Sequence, residues 1–221
     1  MPGFGDFDPR YFLAIVVTFI IAITVHEFMH AWTAWMLGDD TARHLGRISL
    51  NPAVHFDLVG ALMFLLIALG LPGIAWGKPV PVNDFRLRPA GRFGRQGSMA
   101  LVSLAGPLSN VVLGAIAAGI LRFSSFTGAR LGEVDQFLWI FMLVNFSLAA
   151  FNMIPLPPLD GSRILSALLP PFWRPVLAPL ERYGVPILIL LLIFGRGIGS
   201  GIIGGIIDPV RDLLLKVFAG S

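Results

Sequence analysis

Two histidines and a glutamate sit where few polar residues belong. His26, Glu27 and His30, in the string HEFMH, lie in the C-terminal half of an otherwise apolar run from Tyr11 to Leu37. An ionisable side chain at membrane depth is costly, and it faces a cavity or a partner. Residues four apart share a helix face, so both imidazoles can point at one ion. Glu27 follows His26 by about 100° around the helix, within reach of a water on that ion. This is the HExxH arrangement, with two neutral imidazoles on zinc and a carboxylate as general base. It predicts hydrolysis assisted by one Zn2+ per chain, at a site inside a membrane.

The rest of the composition agrees with that setting. Of 221 residues, 56% are hydrophobic and 13% charged, and the mean hydropathy is +0.80; soluble domains carry about 25% charged residues. The expected fold class is an all-α polytopic membrane protein, a bundle of about four to six transmembrane or partly inserted helices with a small membrane-associated β-hairpin or re-entrant loop. One domain over 1–221 is expected, with core helices at 11–37, 98–121 and 136–154, a re-entrant or β loop at 58–84, and C-terminal helices at 176–219. The net charge of +3 comes from basic residues placed mainly in loops. That is membrane topology, with no call for a nucleic-acid partner. With no cysteine in the chain, a metal must be held by His, Asp or Glu. The N-terminal MPGFGDFDPR is acidic and no small-residue cleavage site follows, so no signal peptide is read there.

Pro9 and Gly38 punctuate the start and end of the first helix. The second apolar run, Leu58 to Trp76, is broken by Gly70, Pro72 and Gly73, too early for the roughly 20 residues a span needs. Ile74 to Asn83, with two prolines, reads as an edge strand or short hairpin near the membrane surface. The segment from Val185 to Ile207 is either one interrupted span or a short span followed by an amphipathic helix.

Catalytic zinc has three protein ligands, and Asp160, His55, Asp57 and His44 are the candidates to join His26 and His30. If Leu58–Trp76 crossed the membrane, His30 and Asp160 would lie near opposite faces. If it turns back, three crossings precede Asp160. The end of the first helix, Asp160 and the basic cluster Lys78, Arg86, Arg88, Arg92 and Arg95 then share one face, which the positive-inside rule makes cytoplasmic. Pro155, Pro157 and Pro158 force irregular backbone beside Asp160, tolerated at membrane depth only around a cavity or within protein. Asp160 is therefore the expected third ligand. Asn152 is placed to hydrogen-bond a substrate carbonyl or oxyanion. An edge near Val80 and Val82 is placed to hold an unwound substrate by strand addition.

HEFMH, then LAGPLSN, then NMIPLPPLDG, in that order, resemble the site-2 protease family of intramembrane zinc metalloproteases. GRISLNPAVHFD and WGKPVPVN resemble a compact prokaryotic branch of it, without a PDZ-like insertion or a CBS-like domain. The resemblance covers about residues 11–165. It implies zinc on His26, His30 and Asp160, water activation by Glu27, substrate contact by Asn152, and a substrate-guiding β-structure at about Gly73 to Asp84. It also implies a transmembrane-segment protein as substrate and a multi-pass place in a prokaryotic inner (plasma) membrane. The oligomeric state is left open.

Blander readings exist for several of these residues. His55 and Asp57 either support the zinc ligands from behind or simply structure a loop, with Asp57 capping the next helix. Gly106 and Pro107 read as a close-packing and kinking device, Asn145 and Asn110 as helix-packing hydrogen bonders. The competing classes are a membrane zinc transporter using the same ligands and an inactive protease-like scaffold. A transporter has no need of Glu27, and the chain shows no internal repeat.

Overall fold

Pro9 opens the first helix, α1 (Pro9–Met36), with the Asp8 carboxylate accepting from Arg10 N–H at 2.9 Å. The computed structural model describes residues 8–69, 77–129, 131–194 and 202–220. After α1 come the short α2 (Thr41–His44), α3 (Leu58–Ala68), the long α4 (Gly94–Thr127) and α5 (Glu133–Asn152). Then follow α6 (Asp160–Leu168), α7 (Arg174–Phe194) and α8 (Ile202–Phe218).

Three segments, Pro9–Met36, Gly91–Thr127 and Glu133–Asn152, are long and apolar enough to cross a bilayer. The 28 residues of α1 reach about 42 Å at 1.5 Å per residue, beyond the hydrocarbon thickness of about 30 Å. Leu13, Leu62, Leu108, Val112 and Ile116 point outward, each more than half exposed. In water such side chains would forgo about 1.5–3 kcal/mol apiece, whereas lipid surrounds them at no such cost. The protein is an integral membrane protein.

An ion pair between Arg10 and Glu133 brings the starts of α1 and α5 together, while the C-terminal half of α1 packs on the N-terminal half of α4. So α1 and α5 run parallel and α4 runs against both. Ala117 and Ala118 on α4 and Met142 and Phe146 on α5 form a core that Leu214, Leu215 and Phe218 of α8 cover. The stretch after residue 174 thus holds two helices, with residues 195–201 outside the described part.

The run after α2 folds back on itself. Asp57 caps α3, accepting from Val59 and Gly60 N–H at 3.1 and 3.0 Å. With 11 residues, α3 is about 16 Å long, half a bilayer core. Beyond the undescribed residues 70–76 the chain reappears beside its own starting point. Gly77 bridges Phe56 in antiparallel fashion, and Lys78 N–H donates to His55 O at 2.8 Å. Both ends of the run therefore meet on one side. Among the described residues no strand forms; the expected hairpin is, from Gly77 to Asn83, irregular chain with that single bridge. Pro79 and Pro81 remove two of the donors that a ladder would use.

Paired residues in an antiparallel bridge lie about 4.5–5.5 Å apart at Cα, inside disulfide range. The double variant Phe56→Cys/Gly77→Cys should therefore cross-link on oxidation. It should show as a reductant-sensitive mobility shift in membranes, in a chain with no cysteine of its own. Neither single variant should shift.

Candidate metal centre

His26 and His30 are buried on the face of α1 that meets α4, and Asp160 is the first residue of α6. His26 Nε2 is 3.0 Å from His30 Nε2, and the Asp160 carboxylate oxygen is 3.2 and 3.3 Å from those two nitrogens. Ligand atoms about 2.0–2.1 Å from a tetrahedral zinc stand roughly 3.3 Å from one another. The triangle has the dimensions of a three-ligand zinc site, and the other side of each ring shows why a cation is needed there.

His30 Nδ1 is 2.7 Å from Val102 O, and a carbonyl can only accept, so the proton sits on Nδ1. His26 Nδ1 is 2.6 Å from Asn110 Oδ1. Asn110 is turned that way because its amide nitrogen donates to Ala22 O at 3.2 Å and to Asn145 Oδ1 at 3.0 Å. With both Nδ1 positions protonated, the two neutral rings present lone pairs at Nε2. Two nitrogen lone pairs and a carboxylate then face each other with no hydrogen between them. A cation among them turns that repulsion into coordination, and the all-N/O donor set suits zinc.

The backbone makes room for this. A Cβ on Gly106 would lie 2.4 Å from His30 Nε2 and 2.6 Å from His26 Nε2, so only glycine lets α4 approach. The close-packing role read for Gly106 thus serves the site itself. At the other ligand, a Cβ on Gly161 would lie 2.3 Å from Met153 O, so the turn carrying Asp160 closes tightly on the end of α5. Asp160 is not a side-chain cap of α6; its carboxylate turns to the imidazoles instead.

Glu27 is buried, and its Oε2 accepts from Val80 N–H at 3.1 Å. The segment carrying Val80 is fixed on both sides. Arg47, itself buried, donates to Lys78 O, and Asn83 N–H donates to Asp39 Oδ2 at 2.6 Å. Val80 packs on Ala31 and Ala42 with Val82 beside them. A cavity of about 110 Å³ lies under this segment, bounded by the His26–Glu27–His30 face of α1, Val80 and Val82, Ser103 of α4, and Asn152. Asn152 ends α5 and gives one amide hydrogen to Leu148 O at 3.0 Å.

The remaining residues singled out by the sequence lie apart. His55 is fully buried in the loop before α3, and its Nε2 donates to Ser49 O at 2.6 Å. Burial pushes its pKa below the ordinary imidazole value, and the nearby Arg47 adds to this, while the Ser49 bond works the other way. His55 and Asp57 stand outside the ligand triangle, where they structure the loop. His44 is exposed beside Asp40. Asn145 is the helix-packing hydrogen bonder expected, bonding Phe141 O at 2.8 Å. Sequence reasoning did not see that Asn110 orients His26. Its signal was a lone amide four residues after Gly106, on the same face of α4.

A family model described as peptidase family M50 matches residues 127–195, the stretch that carries Asn152 and Asp160. Two relatives, each named "Putative zinc metalloprotease", match over most of the chain. YwhC of Bacillus subtilis is 36% identical over 212 residues, covering 93% of this chain and 90% of that one. Rip2 of Mycolicibacterium smegmatis is 34% identical over 185 residues, 82% of this chain and 67% of that one. The chain belongs to peptidase family M50. It is a membrane zinc metalloprotease, as the resemblance to site-2 proteases implied. No solved structure matches the chain.

Two variants test the centre. Gly106→Ala should abolish stoichiometric zinc by placing a methyl where the Nε2 atoms sit, measured by metal analysis of purified protein. Asn110→Ala leaves His26 Nδ1 without its acceptor and should weaken zinc binding about 10- to 100-fold, read by competition with a chelator.

Proposed function

We propose that this M50 protease is an intramembrane endopeptidase that cleaves peptide bonds within or near transmembrane segments of protein substrates. Zinc is held by His26, His30 and Asp160, Glu27 is the general base, and Asn152 contacts substrate. The observation that carries the reading is the convergence of three lone-pair donors beside a buried glutamate on a helix long enough to span a bilayer. We place the chain in a prokaryotic plasma membrane with this end of α1 towards the cytoplasm, where the basic residues of the 78–95 loop gather.

Bound zinc would supply Lewis acidity, acidifying water and polarising a peptide carbonyl. The protein's own groups do the rest. Glu27 takes the proton of the attacking water on the oxygen that Val80 does not hold, then delivers it to the leaving amine nitrogen. A substrate helix hides its carbonyls in its own hydrogen bonds, so it must unwind before attack. The unwound stretch needs replacement partners. Asn152 offers its amide from the end of α5. The segment at Val80 and Val82 offers main-chain groups for strand addition, although Glu27 holds the Val80 N–H when no substrate is present. Burial of His26, Glu27 and His30 limits how far bulk water competes for these bonds.

Glu27→Gln should retain one zinc per chain and lose cleavage entirely. The check is to reconstitute wild type and variant with a panel of single-span membrane proteins and analyse the products by mass spectrometry. Persistent cleavage by the variant would remove Glu27 from its role.

A further inference from the structure

A serine within a helix commonly returns its hydroxyl to a carbonyl one turn back. Ser166 does so to Ser162 O at 2.9 Å and Ser109 to Gly106 O at 2.7 Å. Ser103 on α4 does not. It is 1% exposed, and its Oγ has no hydrogen-bond partner among the described residues. An unpaired buried hydroxyl forfeits about 1–3 kcal/mol, so its persistence points to a partner that arrives during function. Thr18 and Thr24 of α1 are also unpaired, but neither lines the catalytic cavity, and Ser103 does.

The position is specific. Ser103 directly follows Val102, whose carbonyl holds His30, and precedes by three residues Gly106, which lies against both ligand nitrogens. Residues three and four apart share a helix face, so the hydroxyl sits one turn from the imidazoles on the side of α4 turned to them. Pro107, four residues on, has no N–H to return to the Ser103 carbonyl, so this turn of the helix is thinly bonded. Ser103 is not set up as a nucleophile: among the described residues no base lies within hydrogen-bond distance of its Oγ, and each imidazole uses Nδ1 on its orienting acceptor and Nε2 in the ligand triangle.

We propose that Ser103 is a catalytic hydrogen-bond donor to the scissile carbonyl, and that its bond strengthens as that oxygen becomes an oxyanion. This rests on the zinc-hydrolase reading of the site. As the water oxygen bonds to the carbonyl carbon, the π pair moves onto the carbonyl oxygen and Ser103 Oγ–H donates to it. The water proton goes to Glu27 and then to the amine nitrogen as the C–N bond breaks. Ser103 keeps its own proton throughout.

The test compares wild type with Ser103→Ala, and with Ser103→Cys, which keeps the volume but is a weak donor. The substrate is a single-span peptide that the wild type cleaves. Both variants should lose about 10- to 100-fold in kcat, with KM within twofold and one zinc per chain. Independently of turnover, a phosphinate analogue of the cut site should bind each variant about 10- to 100-fold more weakly. The uncleaved peptide, measured in a Glu27→Gln background, should bind unchanged. A kcat within threefold of wild type in both variants overturns the proposal. So does a loss that tracks falling zinc content, or one confined to KM. A wild type that takes up no zinc would instead overturn the reading of the site itself.

Discussion

The structure depends on keeping two neutral imidazoles in one tautomer, at a depth where no water can do it. In hydrocarbon an unpaired N–H or an unpaired lone pair has nowhere to turn, so each ring nitrogen must be met by protein or by metal. The Nδ1 side is met by α4, through the Val102 carbonyl and the Asn110 side chain. Asn110 is in turn fixed by Ala22 of α1 and Asn145 of α5, and Asn145 by Phe141 one turn earlier. One ladder of polar contacts therefore crosses α1, α4 and α5. Apolar helices gain little by leaving lipid for one another, so small residues and interhelical hydrogen bonds settle their register. The contacts that prepare the metal ligands are also the contacts that hold the helices in place.

Steric constraints point the same way. Gly106 has no side chain because the imidazole edges occupy that space, and Ala22, Ala31 and Ala34 line the buried side of α1 with no exposed area at all. Leu13 of α1 and Leu108, Val112 and Ile116 of α4 are turned outward, while Phe19, Ile23 and Val102 pack inside. Apolar side chains thus face both ways, toward lipid and toward the core. This explains why periodicity is a poor guide here: a helix that is apolar on every face does not reveal which face is inward. The polar residues reveal it instead.

What was legible in the sequence follows from that. HEFMH announced itself because charge in an apolar run needs a reason, and Asp160 could be chosen once the 58–76 run was required to turn back. The observed meeting of Phe56 with Gly77 agrees with that turn. The hairpin was less legible: alternation over Ile74 to Asn83 suggested a strand, but Pro79 and Pro81 limit the pairing to a single bridge. The Val102 carbonyl had no signal at all, since a main-chain acceptor leaves no mark on residue type. Ser103 was hidden among small residues that look alike in a membrane helix, whether they pack or react. Asn110 was visible as an amide, but its partner could be named only when α1 and α4 were brought together.

Glu27 and the segment over the site are one mechanical unit. A buried carboxylate needs donors, and Glu27 has one from the Val80 backbone. Pro79 and Pro81 carry no N–H, so along this stretch Val80 is the donor within reach. Arg47 and Asp39, both buried, anchor the segment on either side at Lys78 and Asn83. Two charged side chains thus lose hydration in order to grip backbone, Asp39 holding Thr41 as well as Asn83. On the proposed reading, a substrate strand that pairs at Val80 would share or displace the bond to Glu27, freeing a carboxylate oxygen where the extended peptide is captured. The segment that covers the cavity is therefore also what holds the Glu27 carboxylate.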